Sequence, residues 1–108
     1  RHALYEQMRR FFEQWDLLLT PTLPVLAFDV GQNAPPAPEP REWVWWTPFT
    51  YPFNLTQHPA ATVPVGFSSD GLPMGLQIVG HRHADLTVLQ ASAAYEAAHP
   101  WAHQRPQL

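Results

Sequence analysis

The stretch from Thr47 to Gly80 constrains this chain more than any other, because its prolines and glycines leave little freedom in the order of elements. Thr47 is placed to cap a helix whose first residue, Pro48, has a preset φ and no N–H to lose. Pro59 stops that helix. Ala61–Phe67 is a β-branched run broken by Pro64, which fits a strand at a sheet edge or one that starts pairing beyond the proline. Ser68, Ser69, Asp70 and Gly71 form a turn cluster, with Gly71 available for positive φ. Met74–Val79 returns as a strand containing Gly75, and its apolar residues on both faces predict burial on both sides.

The flanks extend this pattern. Residues 2–15 read as an amphipathic helix, with Leu4, Met8, Phe11, Phe12 and Trp15 on one stripe and Glu6, Arg9, Arg10 and Glu13 opposite. Asp16–Thr22 reads as a buried strand stopped by Pro21, because three consecutive leucines leave neither face polar. Prolines at 24, 35, 36, 38 and 40, with Pro21 and Pro48 on the flanks, exclude a helix between Leu23 and Trp46. This is a long loop, solvated over Gly31–Pro40. Trp43, Trp45 and Trp46 are costly to leave in water, so they pack on a core, line a pocket or meet a partner. Leu86–His99 reads as the last helix, capped by Asp85, buried through Leu86, Leu89, Ala93 and Ala97, and ended by Pro100.

Composition excludes several functions. A chain of 108 residues is one domain at most, and a formal charge of −3 argues against a nucleic-acid partner. No apolar run is long enough for a membrane helix and no signal peptide opens the chain, which fits a cytoplasmic protein without a membrane partner. Without cysteine there is no disulfide, thiolate zinc site or thiol nucleophile. The basic residues are all arginine, at 1, 9, 10, 41, 82 and 105, so there is no lysine. His81 and His83 flank Arg82 and would point to one side of an extended backbone, but no third ligand is fixed nearby, so no metal is expected. Asp29, Glu39 and Glu42 read as solvated loop charges. Ser68 and Ser69 read as turn residues rather than a nucleophile pair.

Several ordered motifs give the chain a resemblance. Asn54-Leu55, Pro59-Ala60, Val63-Pro64-Val65-Gly66 and Gly71-Leu72-Pro73-Met74-Gly75-Leu76-Gln77 resemble the C-terminal part of the amidase-signature family. Asp16–Thr22 resembles that family's strand ending in Thr-Pro-Thr. Ala94-Tyr95-Glu96 and Pro100-Trp101 resemble its closing helix. The resemblance runs from about residue 3 to Trp101 and implies an α/β fold of order α–β–loop–α–β–β–α, with strands near 17–21, 61–67 and 74–80.

The resemblance also implies amide hydrolysis, or amide-nitrogen transfer in some members. The family uses a nucleophilic serine, a bridging serine on a cis peptide bond and a lysine base, which must be neutral to accept the nucleophile's proton. The chain has neither the lysine nor the Gly/Ser-rich nucleophile segment, so no catalytic residue is assigned in it. Residues 1–108 are therefore expected to be a C-terminal piece of an amidase, inactive alone and without a cofactor. The resemblance places Thr20, Thr22, Trp45, Trp46, Phe49 and Phe53 on the wall of the pocket for a small-molecule amide. Members that take ammonia from glutamine are expected to hold its α-ammonium with an acidic residue before the second helix. Here Trp43, Val44, Trp45 and Trp46 stand there, with only Glu42 acidic, and an aromatic wall favours apolar or aryl amides. Lost strand neighbours predict a homo-oligomer for the isolated chain. The alternative is a non-catalytic binding module that docks through the Trp-rich loop.

Overall fold

The computed structural model describes residues 1–37 and 44–104. The loop positions 38–43, which include Glu39, Glu42 and Trp43, lie outside the described residues, as do 105–108. The element order is α1 (His2–Phe11), β1 (Leu17–Pro21), α2 (Tyr51–Thr56), β2 (Ala60–Phe67), β3 (Pro73–Gly80) and α3 (Asp85–Ala98). This is the α/β order expected.

The three strands form one antiparallel sheet of order β1-β3-β2. The last strand in sequence is thus the central one, and β2 with its Pro64 is an edge, where a missing N–H is tolerated. A bulge between Pro64 and Gly66, with Gly66 at φ 132°, lets β2 keep pairing past the proline. The β2–β3 turn closes through Ser68 N–H to Leu72 O (2.9 Å), Gly71 N–H to Ser68 O (3.0 Å) and Leu72 N–H to Ser68 Oγ (3.1 Å). Gly71 takes φ 78°, as the turn requires.

Register assigns the two faces, since directly paired residues in an antiparallel sheet project to the same side. Leu18, Val79 and Ala60 share one face, and Leu19, Ile78 and Ala61 the other. On the first, Val79 is 0% exposed and meets Phe12 and Phe53, with Met8, Phe11 and Leu18 around them. On the second, Val63 and Ile78 pack on Val88 of α3, with Leu17, Ala61, Leu76, Ala91, Tyr95 and Trp101. The molecule is therefore layered, with α1 and α2 on one side and α3 on the other.

Five local features differ from expectation. Helix α1 ends at Phe11 rather than residue 15, because the N–H groups of Gln14 and Trp15 both fold back on Phe11 O to turn the chain into β1. Trp15 is left 60% exposed, stacked on Phe11. Helix α2 starts at Tyr51, with Thr50 as its first flanking residue. The Thr47 hydroxyl donates back to Val44 O, so it closes a preceding turn instead of capping. Pro59 is not what stops α2: Gln57, at φ 61°, ends it in the left-handed conformation.

The third difference is the face of α3. Val88, Ala91 and Tyr95 are turned inward, and the expected stripe is outward, with Leu86 68% and Leu89 62% exposed. Asp85 is the first helical residue, not the cap, and no side chain caps the helix. The fourth is β1 itself, which is not buried on both sides: Leu19 is 56% exposed. The apolar return strand is likewise covered at one end only, from Gln77 to Gly80, while Pro73 and Met74 face solvent.

A buried histidine ties α1 to the α2–β2 connection. His58 stacks on Phe12 (5.2 Å between centroids), approaches Tyr5 (6.2 Å) and contacts Thr56 Oγ1 through Nδ1 (2.8 Å). Burial, and then the nearby His81 and Arg82, push its pKa below the ordinary histidine value. The Arg82 guanidinium is held at Gln57 Oε1 (2.6 Å) and over the Tyr5 ring (5.9 Å). The unfolded chain then takes up the His58 proton at higher pH than the folded one. Its contribution is complete above about pH 6.5 and is lost as pH falls toward the depressed folded value. The expected result is a melting temperature that falls as pH is lowered from 7 to 5, with a shallower fall in His58→Gln. Equal slopes would refute this assignment.

Candidate functional site

At the end of the sheet remote from Gly80, the chain leaves β1 and folds alongside the strands. The Thr22 N–H donates to Gly75 O (3.0 Å), continuing the pairing one residue past β1. Leu23 to Phe28 then form a wall facing Thr62, Pro64 and Val65 of β2 and Pro73 to Leu76 of β3. The resulting concavity, open on one side, encloses about 810 Å³. That is within the usual size of small-molecule sites. Phe28 is held edge-on against Trp46, at 5.5 Å between ring centroids. Trp46 thus stands behind the loop wall.

The polar atoms of this region come from the sheet. Thr20, Gln77 and Thr62 are paired across the three strands and share a face. Gln77 is buried, and its amide donates to Thr20 Oγ1 (3.0 Å) and to Phe49 O (2.6 Å). These bonds fasten the segment before α2 to the sheet. Thr22 Oγ1 lies 3.2 Å from Thr62 Oγ1, over Gly75. A Cβ added at Gly75 would stand 2.8 Å from Thr22 Oγ1 and 2.8 Å from Thr62 Cγ2. The Gly-Leu-Pro-Met-Gly-Leu-Gln run therefore has a distinct physical role at three positions: a turn at Gly71, a close approach at Gly75 and an amide fork at Gln77.

Of the residues expected on a pocket wall, Thr20 and Thr22 line the concavity. Trp46 contacts its wall through Phe28, and Phe49 is joined to its floor through a carbonyl. Trp45 is half-buried. Phe53 is elsewhere, buried against Phe12 and Val79. Sequence spacing does not single out Thr62, Gly75 and Gln77, because nothing along the chain announces that β1 and β2 flank β3.

Among the described residues, none that lines the concavity is ionisable. A threonine hydroxyl without a base beside it is no nucleophile, so this arrangement can bind and orient a ligand but supplies no general acid or base. Among the described residues no group of three His, Cys, Asp or Glu is placed to hold a metal. His81 and His83 do not lie on an extended strand: His83 sits at φ 68°, and His81 Nδ1 is 2.8 Å from Arg82 O. Among the described residues no helix is long and apolar enough to cross a membrane.

Comparison with known proteins places this geometry. Residues 1–89 match the family model described as Amidase. An acylamidase of Rhodococcus erythropolis is 39% identical over 98% of this chain and 23% of its own length. One subunit of the glutamyl-tRNA(Gln) amidotransferase of Thermosynechococcus vestitus is also 39% identical, over 100% of this chain and 22% of its own. Among solved structures, a bacterial aryl acylamidase of the amidase-signature enzymes superposes with a TM-score of 0.82 at 38% identity, over 98% of this chain and 24% of that one. A 6-aminohexanoate cyclic dimer hydrolase gives 0.81 at 34%, with the same shares. The chain thus spans less than a quarter of the length of these relatives. Family model, sequence relatives and superposed structures agree, and the chain belongs to the amidase-signature family.

Proposed function

We propose that these 108 residues are the C-terminal portion of an amidase that hydrolyses carboxylic amides through a serine, a bridging serine and a lysine located outside them. The chain has no lysine, so the base of that mechanism has no candidate in it. The isolated chain is accordingly inactive, and its part is to build the sheet and one wall of the substrate site. The outward Leu86 and Leu89 of α3 and the exposed Leu19 of β1 are surfaces that the remainder of such a domain would cover.

The observation that carries the substrate reading is the lining itself, which among the described residues is apolar apart from threonine hydroxyls and has no ionisable side chain. A free amino acid such as glutamine brings an ammonium and a carboxylate, and an apolar wall desolvates both without pairing them. An aryl or alkyl group gains roughly 25 cal/mol for each Å² it buries. Identity does not separate the acylamidase from the amidotransferase, since both stand at 39%. The chemistry of the wall favours the former's class of amide.

The test uses the complete enzyme that contains this chain. Its kcat/KM should be higher for p-nitroacetanilide than for glutamine. Trp46→Ala, by releasing Phe28 and the loop wall, should lower the anilide value about tenfold, the equivalent of ~1.4 kcal/mol of lost transition-state binding. A preference for glutamine, or an unchanged anilide value in Trp46→Ala, would reject the reading.

A further inference from the structure

We propose that the Thr22–Thr62 hydroxyl pair is a recognition point for one uncharged oxygen acceptor on an otherwise apolar ligand, and that Gly75 is its positioning residue. The two hydroxyls belong to opposite edges of the sheet and meet at 3.2 Å across the central strand. They can meet only because position 75 has no Cβ, which would stand 2.8 Å from atoms of both threonines. Gly75 has no positive φ to explain it, unlike Gly66 and Gly71, so the close approach is its reason for being glycine.

A pair of hydroxyls that shares one hydrogen bond retains one O–H proton, whichever of the two donates. Among the described residues neither hydroxyl has a further partner. The Gln77 amide is committed to Thr20 and Phe49, and Thr20, whose oxygen accepts from it, is a further hydroxyl on the same wall. The Thr22–Thr62 pair therefore brings a free donor to an apolar concavity. A ligand that covers it without an acceptor leaves a donor unsatisfied, which is costly. A carboxylate would bring its charge to a lining that among the described residues holds no cation, which is also costly. The chemistry left is a neutral carbonyl or ether oxygen beside an aryl or alkyl group. Under the amidase reading, that oxygen is the amide carbonyl of a substrate or product, and only this naming rests on that reading.

The test is titration of the complete enzyme that contains this chain, its nucleophilic serine replaced by alanine, with acetanilide and, separately, with ethylbenzene, which has a comparable ring and no acceptor. Wild type should bind acetanilide more tightly. Thr62→Val, nearly isosteric, should weaken acetanilide about five- to tenfold and leave ethylbenzene unchanged, whereas Thr62→Ser should retain wild-type affinity. Gly75→Ala should reproduce the selective loss. Absence of acetanilide binding by wild type, an unchanged affinity in Thr62→Val, or equal weakening of both ligands would overturn the proposal. The last outcome would show that the pair only supports the sheet. Each of these results is independent of whether the complete enzyme turns over anilides.

Discussion

Phe53→Ala is expected to destabilise the chain by about 3–5 kcal/mol, the cost of emptying a buried aromatic site. Phe53 joins α2 to the sheet through Val79 and to α1 through Phe12. No other large side chain of α2 is buried, since Tyr51 and Leu55 face outward. Truncation would thus remove the main contact that holds α2 down. A small domain has only about 5–15 kcal/mol in total, so the loss is a large fraction of its stability. Urea unfolding followed by far-ultraviolet circular dichroism measures the change. A loss under about 1 kcal/mol would mean that Phe53 is not a core residue and would return it to the pocket wall.

Gly80→Ala comes next in size, at about 1–3 kcal/mol of overpacking. Gly80 ends β3, pairs with Leu17 and donates its N–H to Pro59 O at 3.0 Å. An added Cβ would stand 2.6 Å from Val88 Cγ2, 3.5 Å from Ala84 O and 3.7 Å from Pro59 Cγ. Val88 is itself buried and has no free direction in which to retreat. The double variant Gly80→Ala, Val88→Ala should recover part of the loss, because the two residues share one space. Strict additivity in the denaturation midpoints would show that the contact is not the cause.

The order of elements was legible because proline and glycine act locally. Pro64, Gly71 and the proline cluster of the loop each restrict a few φ angles, and those restrictions survive in any fold. Which side of α3 is buried was not legible. Leu86, Leu89, Ala93 and Ala97 satisfy helical spacing, and so do Val88, Ala91 and Tyr95; the choice depends on Gly80 and Trp101, which sequence spacing does not bring near. A helix apolar on more than one side is ordinarily covered on more than one side. The end of α1 is misplaced by periodicity for a related reason: Trp15 continues the stripe, yet the chain has to turn before Leu17. The concavity was only half visible. Thr20 and Thr22 are marked by their motif, but Gln77 meets Thr20 from 57 positions away, and Thr62 meets Thr22 from 40.

The central place of β3 has a consequence for how the chain reaches its structure. β2 and β3 are neighbours in sequence and can close as a hairpin in about 1–10 μs. Among the described residues β1 pairs with β3 alone, so within them it has no strand partner until that hairpin exists. During synthesis at ~5–20 residues per second, several seconds separate the emergence of Leu17-Leu18-Leu19 from that of Gly80. Throughout that interval the leucine strand presents unpaired backbone and apolar side chains together, a combination prone to association with other chains. The slow and vulnerable step is thus the late docking of the first strand into a sheet completed by the last.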